Sequence, residues 1–205
     1  MAGLILPHQG LIRGGVVLPD IQLDPLDWSV DGEPITVSYP GPGFVAIGIV
    51  YFGGGSFSIS SGISIDGVAV PNITGSGGTN AGSGLFATML ASGGSKDVEW
   101  IGGTSTVYKA YSIYTPLVSS ATPVFSRTSN NSAQTVGAGD IFLVGCAYDT
   151  TQAAGGNAFT GDFTDTEDIA LCDFGYSLPL ATPNGSNQVA VSHSGFRSAC
   201  FAGFR

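Results

Sequence analysis

Charge is scarce in this chain: Asp, Glu, Lys and Arg make up 10% of its 205 residues, against roughly 25% in an ordinary soluble domain. That excludes disorder driven by charge repulsion. Cations are scarcer still. Arg13, Lys96, Lys109, Arg127, Arg197 and Arg205 are scattered along the chain and leave a formal net charge of −9. A nucleic-acid footprint needs clustered Lys and Arg to displace counterions, so no nucleic-acid partner is expected. The same shortage argues against an anionic membrane surface. No run approaches the ~20 apolar residues of a membrane span, so no membrane insertion is expected either. The opening Met1-Ala2-Gly3-Leu4 lacks the charged start of a secretion signal.

Residues that carry chemistry are equally sparse. Cysteines 146, 172 and 200 are far apart and odd in number, which does not make a disulfide framework; Cys146 and Cys200 sit in strand-like runs and read as buried thiols. His8 and His193 are too few and too isolated for a zinc site. Ser192-His193-Ser194 places neighbours on opposite faces of a strand, and no G-x-S-x-G elbow occurs. The glycine-rich Gly41-Pro42-Gly43 and Gly53-Gly54-Gly55 lack the Gly-Lys-Ser/Thr of a phosphate loop and read as turns. Neither catalysis nor a cofactor is expected.

Helical periodicity is also missing, because 32 glycines and 11 prolines interrupt the chain every few residues. No apolar period of 3.6 lasts three turns. What stands between the breaks is a series of short β-branched and aromatic runs, among them Ile35–Tyr39, Phe44–Phe52, Leu85–Leu90, Val107–Tyr114, Asp140–Tyr148 and Ala199–Phe204. Such spacing is the mark of a sandwich or barrel. Asp66-Gly67, between Ile63-Ser64-Ile65 and Val68-Ala69-Val70, supplies the positive φ angles of a type I′ turn and predicts a hairpin. Phe44 to Val50 reads as a strand buried on both faces, whereas Val107 to Tyr114 alternates and predicts one wet face.

The first 34 residues differ in kind. Leu4-Ile5-Leu6-Pro7, Leu11-Ile12-Arg13-Gly14-Gly15, Val16-Val17-Leu18-Pro19 and Leu23-Asp24-Pro25-Leu26 are apolar couples and triplets cut by Pro and Gly. The prolines forbid a central strand, and exposed apolar surface of this extent calls for a partner. Residues 1–34 are therefore read as an extended anchoring arm and residues 35–205 as the β body. In the arm, Leu4, Ile5, Leu6, Leu11, Ile12, Val16, Val17 and Leu18 are the assembly contacts. The alternative is an arm folded back along its own sandwich.

One acidic cluster, Asp162-Phe163-Thr164-Asp165-Thr166-Glu167-Asp168, offers hard oxygen ligands but not the spacing of a dedicated calcium loop. It reads as a solvated loop, with a calcium or glycan contact through Asp162, Asp165 and Asp168 as the sharper alternative. Tyr108, Tyr111, Tyr114, Trp100 and Tyr148 suit sugar faces and subunit interfaces, although core packing claims most such rings. The acids Asp66, Asp97 and Glu99 show no pairing of the kind a glycosidase needs.

From Phe44 onward, the order of features resembles a β-sandwich family of virion structural proteins in tailed bacteriophages and prophages. Phe44–Tyr51 is similar to its first long strand and Ile63–Ala69 to a characteristic hairpin. Leu85–Leu90 with Lys96–Trp100 resembles the strand pair that follows. Tyr111–Leu117, Gly137–Val144 and the closing Ala199–Arg205 continue the likeness. The resemblance implies an all-β, jelly-roll-like antiparallel sandwich in a virion, assembled in the host cytoplasm. Its expected role is non-enzymatic: capsid decoration, or part of a head spike or tail fibre, with other virion proteins and copies of itself as partners. A receptor-binding domain that contacts a host surface glycan is the alternative.

Overall fold

The computed structural model describes residues 12–13, 16–17, 21–26, 28, 33–52, 62–76, 81–101, 107–128, 134–135, 142–149, 159–160, 164–169, 172–177, 188–191 and 196–205. All regular structure among them is β. Two short strands come first, β1 (Ile12–Arg13) and β2 (Val16–Val17). The next set is β3 (Gln22–Leu26), β4 (Ile35–Tyr39), β5 (Gly43–Phe52), β6 (Ile63–Ile65), β7 (Val68–Val70) and β8 (Asn72–Ser76). Then follow β9 (Ala81–Leu90), β10 (Gly94–Trp100), β11 (Val107–Thr115), β12 (Phe125–Thr128), β13 (Gln134–Thr135) and β14 (Phe142–Asp149). The last are β15 (Phe159–Thr160), β16 (Thr164–Ile169), β17 (Cys172–Tyr176), β18 (Gln188–Val191) and β19 (Phe196–Phe204). Among the described residues no helix is long and apolar enough to cross a membrane.

Beside a small β13-β18-β15 sheet, three antiparallel sheets build the two cores of the body. Their strand orders are β4-β10-β6-β7, β3-β11-β5-β9-β8 and β12-β19-β14-β17-β16. The five-stranded sheet built on β5 lies in the middle, because successive side chains of a strand point to opposite faces and here both faces are covered. On β5, Val45, Ile47 and Ile49 enter one core, with Val37, Tyr39, Ile63, Ile65, Val98 and Trp100 of the first sheet. Phe44, Ala46 and Val50 enter the other, with Phe142, Val144, Cys146, Phe174, Cys200 and Phe204 of the third. The antiparallel sandwich expected from the sequence is therefore present, with one layer more than the two sheets of a jelly roll.

The expectation for β5 holds: every residue from Phe44 to Val50 is buried. That for β11 does not. Ser112 is 0% exposed and Tyr114 2%, so the strand has no wet face from Ala110 to Thr115. The alternation in its sequence is real, but β11 lies within the middle layer, and its hydroxyls find partners across the core. Ser112 Oγ and Tyr39 Oη are 2.7 Å apart, which removes the cost of burying two polar groups.

One device joins the first two sheets. Register runs unbroken from Gly94 opposite Tyr39 in the first sheet to Gly43 opposite Leu90 in the second. Strands β4–β5 and β10–β9 are thus one long ribbon, bent at residues 40–42 and 91–93. At the bend a Cβ on Gly93 would lie 2.5 Å from Gly41 N and 2.7 Å from Tyr39 O, a distance that backbone atoms cannot relieve. Tyr114 donates its hydroxyl to Pro42 O at 3.1 Å and braces the corner from below. The predicted hairpin is also there: β6 and β7 pair from Ile63–Val70 to Ile65–Val68, across Asp66 at φ 52° and Gly67 at φ 74°.

Candidate functional site

The N-terminal segment divides at about residue 21. Before it, β1 and β2 pair with each other, Ile12 opposite Val17 and Arg13 opposite Val16. They form a separate two-stranded sheet that hydrogen-bonds to none of the body sheets. Of the residues expected to anchor, Ile12, Val16 and Val17 lie in this ribbon, while Leu4, Ile5, Leu6, Leu11 and Leu18 lie outside the described residues.

After residue 21 the chain belongs to the body, which corrects part of the expected 1–34 arm. Strand β3 pairs with β11 from Gln22–Tyr114 to Leu26–Ala110 and closes one edge of the middle sheet. Pro25 is tolerated because an edge strand has one side that needs no ladder donor. Leu26 is 1% exposed and Trp28 2%, and Trp28 Nε1 donates a long bond to Val98 O at 3.4 Å. Pro25 gives residues 21–28 the look of an arm, yet their apolar positions serve both cores, Leu26 and Trp28 in the first and Ile21 and Leu23 against the second.

The edge strand holds a polar clamp. Gln22 Nε2 donates to Asp24 Oδ2 at 2.6 Å and to Ser38 O at 2.8 Å, tying β3 to β4 across two sheets. Burial raises the Asp24 carboxyl above its usual range, and the bond from Gln22 opposes that rise. Nearby Tyr39 is pushed up to about 12, chiefly by burial and also by the Asp24 charge, against the lowering effect of the Ser112 bond. A carboxyl raised on folding binds its proton more tightly in the native state, so its favourable contribution is complete below the ordinary value of 3.8 and fades as pH rises through the native value. Asp24→Asn, which keeps an acceptor for Gln22, is therefore expected to raise the urea midpoint at pH 7. At pH 3, where both side chains are neutral, it should leave the midpoint nearly unchanged.

The acidic cluster is placed differently from its expected loop. Asp165 and Asp168 lie on β16, opposite Gly175 and Asp173 of β17, with an irregularity between Asp165 and Glu167; Asp162 lies outside the described residues. β16 is the edge of the third sheet. Charges and a bulge on an open edge discourage pairing with a stray strand, which accounts for acids here without a cation. Among the described residues no group of three or more His, Cys, Asp or Glu is arranged to hold a metal ion.

The ring residues weighed for sugar contact are largely core. Trp100 is 5% exposed, Tyr111 1% and Tyr114 2%; the side chains of Tyr108 and Tyr148 are outside the described set. Tyr111 stacks on Phe174 at 5.3 Å between centroids, in the second core. Among the described residues the large apolar side chains left exposed are non-aromatic: Val68 at 70%, Met89 at 41%, Ile101 at 52% and Val124 at 44%. Val68 and Met89 line a shallow groove of about 210 Å³ beside the Asp66-Gly67 turn. Sequence reading found that turn but not the groove, which forms only when β7 and the end of β9 meet.

At the groove rim Asp66 accepts from Lys96 Nζ and from the Asp97 backbone N–H, both at 2.9 Å. These two bonds, the lysine's first, hold its carboxyl below the usual range. The turn is thereby latched to β10. No family model, no curated protein and no solved structure matches this chain.

Proposed function

We propose that this protein is a non-enzymatic virion structural component of a tailed phage or prophage. In this reading it decorates the capsid or forms part of a spike or fibre, works as a homo-oligomer, and is anchored by the residues ahead of β3. The observation that carries the reading is the division of the N-terminal segment. From Ile21 onward the segment packs on the body, with Leu26 and Trp28 in the first core and Ile21 and Leu23 against the second, while the short strands Ile12–Arg13 and Val16–Val17 pair only with each other among the described residues. The residues ahead of Ile21 are rich in Leu, Ile and Val, and such side chains gain from burial against another protein. The body suits a passive role: three packed layers share one middle sheet, in a chain poor in charge and rich in Gly, Ser and Thr.

The sequence resemblance to phage virion sandwiches supports the compartment, and the anchoring residues of the proposal are 1–20 rather than 1–34. The glycan-binding alternative has lost three of its aromatic handles to the core. The test compares the full chain with one that starts at residue 21. Both are expected to give the same β-type circular dichroism and the same melting midpoint. Incorporation into phage particles, read by immunoblotting of purified virions, should fall at least tenfold for the shortened chain. Equal incorporation of the two would overturn the proposal.

A further inference from the structure

The second core contains a pair of thiols whose geometry exceeds what packing requires. Cys146 on β14 and Cys200 on β19 stand directly opposite each other in the antiparallel ladder. Both are 0% exposed, and their sulfurs are 3.3 Å apart. Residues paired in this way have Cα atoms about 4.5 or 5.5 Å apart, depending on the hydrogen-bonding class of the pair. Either value falls inside the roughly 4.4–6.8 Å span of disulfides. Closing the gap to a bond of about 2.05 Å takes a small χ1 rotation and a slight approach of two strands. The flanking residues Gly145, Ala147, Ala199 and Phe201 point to the opposite face of the sheet, so the rotation displaces none of them and exchanges the 3.3 Å contact of Cys146 Sγ with Gly84 O for the bond.

We infer that Cys146 and Cys200 form a cross-strand disulfide when the protein folds or opens in an oxidising medium, stapling β14 to the C-terminal strand. With a low-molecular-weight disulfide such as glutathione disulfide as oxidant, one cysteine thiolate attacks it, forming a mixed disulfide and releasing one glutathione thiolate. The second cysteine thiolate then attacks the protein sulfur of that mixed disulfide and releases the other glutathione. Two protein thiols are oxidised by two electrons, the glutathione disulfide is reduced to two thiols, and the two protons pass to them. Burial makes this reaction slow in the closed protein and fast while the third sheet is assembling. The inference stands independently of the virion reading.

Cys172 supplies the internal control. It lies between the other two in sequence, so loop closure in an unfolded chain favours its pairing with either of them. Selective joining of Cys146 to Cys200 therefore reports the folded geometry. The experiment refolds the full chain in excess glutathione disulfide, alkylates remaining thiols in denaturant and maps the peptides by mass spectrometry. The expected result is a linked Cys146–Cys200 peptide with Cys172 alkylated. A parallel sample oxidised in denaturant should be enriched in links to Cys172. The Cys146→Ala variant should keep two alkylated cysteines after refolding, and if it fails to fold, the wild-type map decides alone. Three alkylated cysteines in the refolded wild type, or a link to Cys172 as its main product, would overturn the inference.

Discussion

Gly48→Ala is expected to destabilise the protein by about 3 kcal/mol or more, at the upper end of what overpacking a close-fitted core costs. Gly48 sits in the centre of β5, paired on one side with Tyr111 and on the other with Leu85. A Cβ there would lie 2.5 Å from the Phe174 ring and 2.9 Å from Cys146 Cβ. Neither neighbour retreats easily: Phe174 is 0% exposed and packs on Tyr111, and the Cys146 Cβ is set by a β14 backbone paired on both sides, which rotation of the thiol does not move. Because β5 is hydrogen-bonded on both sides, the strand cannot shift alone either. The measurement is urea unfolding of the wild type, G48A, F174L and the double variant. Trimming the ring should recover part of the loss, so the two changes should be markedly non-additive. A fully additive pair, or a G48A midpoint equal to wild type, would show that the middle and third sheets are not in contact at this point.

Trp28→Ala is expected to cost about 3–5 kcal/mol, the usual range for deleting a large buried aromatic side chain. In a chain of this size that lowers the melting midpoint by roughly 10 °C. Trp28 is 2% exposed, in the same core as Leu26, Val98 and Trp100. The contrast with the shortened chain is the useful part. Removing residues 1–20 should leave the midpoint where it is, whereas a single change at residue 28 should move it far. A Trp28→Ala midpoint within 2 °C of wild type would mean that the segment after residue 21 is not part of the folded body; a drop of that small size is well below the loss of roughly 10 °C argued above.

Several elements were legible in the sequence because their cause is local. The β6–β7 hairpin follows from Asp66-Gly67, whose backbone takes the two positive φ angles that the turn type needs. The buried centre of β5 follows from an unbroken apolar run with two glycines and no charge. The buried thiols follow from their places in apolar strands. Other features were misread for a shared reason. Ser112 and Tyr114 look like the polar side of an alternating strand, and Gln22 to Leu26 looks like a proline-broken arm. Each is decided by what packs against it, and that neighbour is distant in sequence: Tyr39 for Ser112, β11 for β3. The acidic run 162–168 looks like a solvated loop, yet its part from Thr164 to Asp168 lies on the edge strand β16, where acids are tolerated.

Composition and turn chemistry, then, determined the class of this protein: frequent Gly and Pro rule out helices, the apolar runs between them make strands, and scarce charge leaves an exterior of small polar residues. These are properties of short segments and need no partner to be read. The third layer, the edge position of β3, the meeting of Gly48 with Phe174 and the pairing of Cys146 with Cys200 were decided by tertiary structure alone. Each depends on which sheets stack and in what register, and a strand's own sequence carries its alternation but not the identity of whatever covers its two faces.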